Sequence, residues 1–280
     1  MNTLKTSIDG RIVAYKNELA VLTWLHRFGW LRTRDLAALV WPDGSQSIPM
    51  ARRTLRRLSD DHEVLAHRLP DGTPIFALGA RGADRIRDAH PDAKSGKDLM
   101  RELRQFRHRN LCNMYAIRRI RAGDIVYTER DIVANRAPIN AVMHKRPDLL
   151  HTCEPSGQSL VWCEVETSWK KSSDYNKLVN FIAQTMRVGF DGFEIDPVRG
   201  LVLSNITIVT AEQSHIIRLI MALDQAVEND FAQRYDWRFL DQHVGFAYFK
   251  NDQWYDLDLE YCWRQILNTD RPSYSRWNSA

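Results

Sequence analysis

Cysteine is scarce in this sequence of 280 residues. The four that occur form no CxxC pair and are scattered along the chain as Cys112, Cys153, Cys163 and Cys262. The spacing indicates neither a zinc site of paired cysteines nor a framework of disulfides. Such a chain suits a reducing compartment, so we expect a cytoplasmic protein.

Long apolar runs are also lacking. No stretch approaches the roughly 20 apolar residues that a helix needs to cross a membrane, and the segment MNTLKTSIDGRIVAYKNEL lacks the apolar core of a signal peptide. We therefore expect no membrane partner. Hydrophobic residues nevertheless make up 44% of the chain, which is enough for a packed core.

Charge is unevenly distributed. Residues 1–122 contain 23 Lys and Arg against 13 Asp and Glu, whereas residues 123–280 contain 16 against 22. A basic front half followed by an acidic back half indicates two different roles, and the basic half suits nucleic-acid binding. Solvated helix faces would account for the same charges and stay open as the alternative.

Residues 1–92 are predicted to form a winged helix-turn-helix domain. Apolar residues recur at helical spacing over 14–28. The helical segments RTRDLAALVW, with Thr33 as its expected N-cap, and SIPMARRTLRRLSDDHEVL follow. The segment EVLAHRLPDGTPIFALG then predicts a hairpin around a Pro-Asp-Gly turn, and ARGADRIRDA a short helix.

The third helix of this domain has a face of arginines that suits a recognition helix in the DNA major groove. These residues are Arg52, Arg53, Arg56 and Arg57. The hairpin would be the wing, with Arg68 before its tip. Arginines can also contact phosphates without reading sequence. The same fold serves protein contacts and dimerisation as well, which leaves that alternative open.

Residues 98–280 are predicted to form a second, αβ domain, after a linker over 91–97. It opens with a long basic helix over 98–123, whose arginines, among them Arg104, we expect to follow the DNA backbone. The further elements are strands in 125–134, 146–152 and 160–167, a helix over 172–187 capped by Ser172 or Ser173, a strand over 201–209, and a C-terminal helix and hairpin.

Carboxylates interrupt two of these apolar strands. Glu164 and Glu166 lie two residues apart in LVWCEVET and therefore share a face. If the strands pair, Asp148 comes close to Glu164. Gathered carboxylates repel one another unless a cation lies between them, and Mg²⁺ or Mn²⁺ is held by one or two carboxylates with water and phosphate oxygens. Alternatively, the two glutamates are surface residues that pair with Lys170, Lys171 or Lys177.

The stretch from about 98 to 209 resembles the PD-(D/E)XK nuclease fold shared by many restriction endonucleases. The matching residues are Pro147-Asp148 and, downstream, Glu164-Val165-Glu166. The resemblance implies that Asp148 and Glu164 bind a metal ion. The family usually has lysine where this chain has Glu166, so Lys177, or else Lys170, would replace that lysine.

A wider resemblance covers nearly the whole chain. The order of winged helix, helix with HRNLCN, H-x-x-P-D, and E-x-E before a helix is similar to plasmid replication-relaxation proteins and the MOBC class of plasmid relaxases. His108 and Asn113 match the helix motif, and His144 and Asp148 match the second. The resemblance implies nicking of one DNA strand at a plasmid transfer origin, with an accessory mobilisation protein as partner and without a catalytic tyrosine.

On this basis we expect a metal-dependent DNA-nicking enzyme of plasmid mobilisation and conjugation, with double-stranded DNA as substrate and Mg²⁺ or Mn²⁺ as cofactor. The expected catalytic residues are Asp148, Glu164, Glu166, Lys177 and His144, and the three carboxylates would bind the metal. His108 and Asn113 would join the arginines in DNA binding. Two alternatives remain: a plasmid replication or transcription regulator with a degenerate nuclease domain, and a restriction or defence endonuclease.

Overall fold

The computed structural model describes residues 9–42, 44–69, 71–98, 106–139, 141–142, 145–152, 157–168, 172–185, 193–196, 200–226, 243–258 and 262. Over these residues the protein is mixed α+β, with helices and a mixed β-sheet. The chain divides into two compact units, the first up to Phe106 and the second from Arg107 onward, except that Ile120–Ala122 group with the first. Within the described part of the chain, no helix is long and apolar enough to cross a membrane.

The first unit combines four helices with a small antiparallel sheet of strand order β1-β3-β2. Its elements are α1 (Gly10–Phe28), β1 (Trp30–Arg32), α2 (Thr33–Val40), α3 (Ser47–Asp60), β2 (Val64–Arg68), β3 (Pro74–Leu78) and α4 (Ala80–Arg85). The predicted helices, hairpin and short helix are all present. Buried leucines of α1 and α3, such as Leu22, Leu25, Leu55 and Leu58, contribute to its core.

The start of α2 differs from the prediction. Thr33 was expected as the N-cap, but it is the first helical residue, and Arg32 is the cap. The Asp35 carboxylate accepts a hydrogen bond from the backbone N–H of Arg32 at 2.9 Å and one from its guanidinium Nε at 2.8 Å. The Asp35 carboxylate in the first helical turn thus satisfies the backbone N–H of the cap residue itself, which is one half of a capping box.

Gly82 is where α4 packs tightly, and its replacement by alanine should destabilise the chain. A Cβ there would overlap the backbone oxygen of Glu63 and press on Leu22. Alanine normally favours a helix over glycine by up to about 1 kcal/mol, but overpacking costs about 1–3 kcal/mol. We expect urea titration of Gly82→Ala to show a lower free energy of unfolding. Gly10→Ala is the matched control, because nothing lies within 4 Å of its Cβ position. Equal stability of the two variants would contradict the close contact.

The second unit is built on a seven-stranded mixed sheet with the order β10-β9-β8-β6-β5-β4, and β7 pairs with β8. β6 and β8 run parallel, as do β8 and β9, and the other pairs are antiparallel. The elements are α5 (Phe106–Arg121), β4 (Val126–Thr128), α6 (Glu129–Val133), β5 (Leu149–Thr152), β6 (Ser159–Glu166), α7 (Ser172–Thr185), β7 (Phe193–Asp196), β8 (Leu201–Thr210), α8 (Gln213–Ala226), β9 (Val244–Lys250) and β10 (Gln253–Asp258).

One predicted strand is only partly present. The segment 125–134 was expected to be a single strand, but it forms the three-residue β4 and then α6. Thr128 ends the strand because its hydroxyl accepts a hydrogen bond from the Asp131 N–H, while the Asp131 carboxylate accepts one from the Thr128 N–H. This reciprocal capping box starts a helix at Glu129.

The main core of the second unit lies on one face of its sheet. Leu160, Trp162, Ile206 and Ile208 belong to a buried cluster that includes residues of α7 and α8. Tyr175 of α7 is also in this cluster and is 5% exposed. Because side chains alternate along a strand, Glu164 and Glu166 extend the Trp162 face of β6 toward its carboxyl end.

A buried polar cluster in the second unit contains His151, which is 1% exposed. The His151 ring lies 3.2 Å from the Asp124 carboxylate and 3.4 Å from the Tyr115 hydroxyl, and Arg119 pairs with Asp124. Burial first, and then the Arg119 charge, lowers the pKa of His151 to about 4 against the opposing Asp124 charge. The ring is therefore neutral in the folded protein at neutral pH.

The lowered pKa of His151 should make stability fall as the pH falls from about 6.5 to about 4. In this window the unfolded chain takes up a proton at His151 that the folded protein does not bind. The contribution of the neutral ring to the free energy of unfolding is therefore lost. We expect the wild type to lose on the order of 2–3 kcal/mol more than His151→Gln between pH 7.5 and 4.5 in urea titrations. His67→Gln on the exposed part of β2 is the control. A His151 variant with the same pH profile as wild type would refute the assignment.

Candidate functional site

The strand pair β5–β6 brings two of the three predicted metal-binding acids, Asp148 and Glu164, together. Leu149 is opposite Cys163 in the register, so Asp148 is opposite Glu164. The Asp148 N–H donates to the Cys163 carbonyl at 3.1 Å, and the Val165 N–H donates to Asp148 Oδ2 at 2.8 Å. These backbone bonds fix Asp148 at the end of the ladder, beside Glu164.

Glu164 is a buried carboxylate with two short hydrogen bonds. It is 4% exposed, its Oε2 accepts from Lys145 Nζ at 2.6 Å, and its Oε1 accepts from the Trp162 indole N–H at 2.5 Å. Burial raises the pKa of Glu164; Lys145 and Trp162 oppose this shift, and the Asp148 charge adds to it, so the pKa stays above its usual value. A buried carboxylate needs such partners, and Lys145 supplies the cation.

Asp148 has a different environment from Glu164. His108 of α5 lies 3.3 Å from its Oδ2. Burial alone would raise the pKa of Asp148, but the His108 hydrogen bond and charge, the Val165 N–H and Lys145 outweigh burial and lower it. Burial alone would lower the pKa of His108, but the bond and charge of Asp148 raise it. The pair therefore favours a charged imidazole beside a charged carboxylate.

The other predicted catalytic residues are Glu166, Lys177 and His144. Glu166 is buried, 3% exposed, at the end of β6, and its charge contributes to the raised pKa of His108. Lys177 lies on α7 with a side chain 79% exposed, and its ammonium pairs with Asp174 at 3.1 Å. It makes no contact with Asp148 or Glu164 in the described structure. His144 lies outside the described residues.

Lys145 and Trp162 are the site residues that the sequence did not single out. The lysine expected near Glu164 was Lys177 or Lys170, both downstream, whereas the one in contact lies three residues before Asp148. Lys170 lies outside the described residues. The available signal was the cationic run HKRPD directly before the first acid. Trp162 shares a face with Glu164, which alternation along β6 would have indicated.

The donor set of Asp148 and Glu164 fits a hard divalent cation. Both acids offer carboxylate oxygens, and Asp148 Oδ1 accepts no hydrogen bond from any described residue. No cluster of three or more His, Cys, Asp or Glu side chains suited to a metal occurs among the described residues. Mg²⁺ needs only one or two carboxylates, because waters and phosphate oxygens supply the rest. An ion there would meet the Lys145 ammonium at Glu164 Oε2.

The predicted arginine face of the first unit is present on α3. Arg52, Arg53, Arg56 and Arg57 are all exposed, while Ala51, Thr54, Leu55 and Leu58 are buried. Arg57 is the exception in its contacts, because Glu18 of α1 pairs with it at 2.5 Å. The other three make no ion pair within the described structure, so they are the ones available for phosphates.

A groove of about 460 Å³ joins this face to the hairpin turn of the first unit. Arg34 of α2 and Arg52 of α3 line it, together with Thr73 and Pro74 of the hairpin. Arg68 is exposed on β2, and its guanidinium donates to the Gly72 carbonyl across the turn at 3.3 Å. Of the predicted DNA-binding arginines, Arg52 thus lines the groove, and Arg68 lies beside the hairpin turn that borders it.

The DNA-binding residues predicted on α5 are placed differently. Asn113 is 5% exposed, so its amide is directed into the protein. His108 contacts Asp148 and, through Nδ1, the Cys112 sulfur at 3.6 Å. Arg104 lies outside the described residues. The geometry thus associates His108 with the acidic pair, and a DNA contact by Asn113 or Arg104 stays a prediction.

Comparison of the chain with protein-family models, with curated proteins and with solved structures found no match.

Proposed function

We infer that the protein is a metal-dependent DNA endonuclease that nicks one strand, with a winged helix for DNA binding and a PD-(D/E)XK-like site for cleavage. The observation that carries this inference is the placement of Asp148 opposite Glu164 at the end of β5–β6. The order of α5, β4, β5, β6, α7 and β8 supports the nuclease-like core. The order of α1, β1, α2, α3 and the β2–β3 hairpin supports the winged helix.

In this proposal Asp148 and Glu164 would hold Mg²⁺ or Mn²⁺. Bound there, the ion would activate a water and neutralise charge on the phosphate. The chain's own residues prepare the site: the Val165 N–H orients Asp148, and the Trp162 N–H orients Glu164. The charged His108 would keep Asp148 ionised and hence ready to bind a cation. Glu166 remains the candidate third carboxylate, because it shares the Glu164 face.

Plasmid cleavage tests this function directly. The purified chain is incubated with supercoiled plasmid carrying the DNA around its own gene, with Mg²⁺, with Mn²⁺ or with EDTA. Open circles that require the metal are the expected product. Linear DNA would instead favour a restriction or defence endonuclease, which cuts both strands. A mobility shift without any cleavage would favour the non-catalytic regulator.

The regulator is the second candidate function because of one specific contact. Lys145 pairs with Glu164 at 2.6 Å, so the acidic pair has a compensating cation without a metal ion. A nuclease-like domain that serves only in plasmid replication or transcription control would need no cation at these acids besides Lys145. A regulator would require neither an accessory mobilisation protein nor a plasmid transfer origin, because both belong to the nicking function.

The basic face of α3 predicts a specific salt dependence of DNA binding. Arg52 and Arg56 lie one turn apart and are exposed. Neutralised phosphates release counterions, so each lost contact should reduce the slope of log K against log salt by about 0.9. We expect Arg52→Ala/Arg56→Ala to show a weaker affinity and a smaller slope in fluorescence anisotropy with duplex DNA. Arg87→Ala is the control, since this exposed arginine pairs with Asp84. An unchanged slope in the double variant would place the DNA elsewhere.

A further inference from the structure

Lys145 is the cation in direct contact with the acidic pair. Its ammonium lies 2.6 Å from Glu164 Oε2 and 5.6 Å from the centre of the Phe181 ring. Its charge also acts on Asp148. Lys145 therefore acts on both acids. It lies in a loop before β5, not in a strand or in the helix that follows β6.

The backbone of Lys145 is fixed, whereas its side chain has access to solvent. Lys145 and Val142 exchange two backbone hydrogen bonds of 2.9 Å each, which close a tight bridge. The Lys145 side chain is 32% exposed, but that of Glu164 is only 5% exposed. The ammonium can therefore turn toward solvent without moving the chain, while the carboxylate has to stay where it is.

Glu164 is left with two possible cations that compete for the same oxygens. The Trp162 N–H donates to Oε1 and the Lys145 ammonium to Oε2, so an ion that binds at Oε2 would face the ammonium directly. An ammonium and a divalent ion within contact distance of one oxygen repel each other. A buried carboxylate without either of them is unfavourable. The arrangement therefore allows one cation or the other.

We propose that Lys145 is an exchangeable counter-ion: it holds Glu164 while no divalent ion is bound and releases it when the ion binds. The released ammonium would then be free to contact the phosphate of the bound DNA. Lys145, and not Lys177, would thus take the place of the lysine missing at Glu166. This role rests on the proposed nuclease function only for the phosphate contact, since the exchange itself needs no DNA.

Isothermal titration with MnCl₂ tests the exchange on the full chain after removal of metals by a chelator. We expect Lys145→Met to bind Mn²⁺ at least about tenfold more tightly than wild type does, because the competing positive charge is gone. Lys250→Met, at the exposed end of β9, should bind as wild type. Lys145→Arg, which keeps the charge, should not gain affinity. Adding Glu164→Gln to Lys145→Met should remove the gain.

Thermal melting provides a second measurement on the same proteins. In EDTA, Lys145→Met should melt below wild type because Glu164 has lost its cation, and Mn²⁺ should raise its Tm by more than it raises that of wild type. A merely structural lysine would lower the Tm without increasing Mn²⁺ affinity. Equal or weaker Mn²⁺ binding by Lys145→Met, or no binding by any of the proteins, would overturn the exchange.

The failure of the exchange and the failure of the nuclease function give different results. If the wild type cuts no plasmid but Lys145→Met gains Mn²⁺ affinity, the counter-ion role stands and the nuclease function fails. If the wild type nicks plasmid but Lys145→Met gains no affinity, only the exchange is wrong.

Discussion

Asp148→Asn is expected to reduce metal-dependent nicking by at least about 100-fold, a loss typical of removing one group that stabilises the transition state. Asparagine has the shape of aspartate and can still accept the Val165 N–H bond, so the strand end should keep its geometry. It lacks the negative charge that would hold a divalent ion and that stabilises the charged His108. Loss of activity with an intact fold would therefore report on charge.

The control for this variant is Asp84→Asn, since Asp84 is an exposed residue of the first unit and has no predicted role in cleavage. Nicking is measured as open circles formed per minute with Mg²⁺ or Mn²⁺, and folding is checked by circular dichroism. A fully active Asp148→Asn would show that Asp148 holds no catalytic metal. Equal loss in the Asp84 variant would point to a general defect of the variants, and equal full activity in both would point to a contaminating nuclease.

The periodicity of the sequence was sufficient to predict most of the helices and strands. The apolar run of LVWCEVET predicts a strand, and the fifteen residues between Asp148 and Glu164 leave room for β5 and β6 to pair as a hairpin. From these two facts Asp148 was predicted to come close to Glu164 on the condition that the strands pair, and the register places the two residues opposite each other. The seven-stranded order does not follow from them, because the pairing of β6 with β8 and β9 depends on long-range contacts.

Reciprocal side-chain bonds explain where the sequence predictions failed. A strand was expected to continue through 125–134, but the Thr128–Asp131 capping box starts a helix there. The Arg32–Asp35 pair likewise moves the start of α2 by one position. Such bonds outweigh weak local propensity and become visible only when both partners are considered together.

The partners of the buried charges could not be predicted from spacing alone. Any of several lysines was in reach of Glu164 along the chain, and the fold selected Lys145 through the bridge of Val142 with Lys145. Arg57 has the sequence pattern of a DNA contact but pairs with Glu18 from another helix. A long side chain can reach partners that are far apart in sequence, so its choice depends on the packed structure.

Trp162→Ala is expected to be the most destabilising single change in the second unit, at about 3–5 kcal/mol. Trp162 is fully buried, its ring lies 4.8 Å from that of Phe181, and its N–H holds Glu164. The substitution would leave a cavity beside a carboxylate that has lost one donor. Trp162→Phe should cost less, about 1–3 kcal/mol, because it keeps most of the packing and removes mainly the hydrogen bond.

Urea titration of both Trp162 variants beside Trp254→Ala separates packing from the hydrogen bond. Trp254 is only partly buried on β10, against Tyr115 and Phe249, so its loss should cost less than that of Trp162. If Trp162→Phe is as stable as wild type yet binds Mn²⁺ more weakly, the indole N–H serves to orient Glu164 for a cation and not to stabilise the fold. If Trp162→Ala lowers the free energy of unfolding by no more than Trp254→Ala does, Trp162 does not anchor this core. The inference that Trp162 holds Glu164 in place would then be wrong.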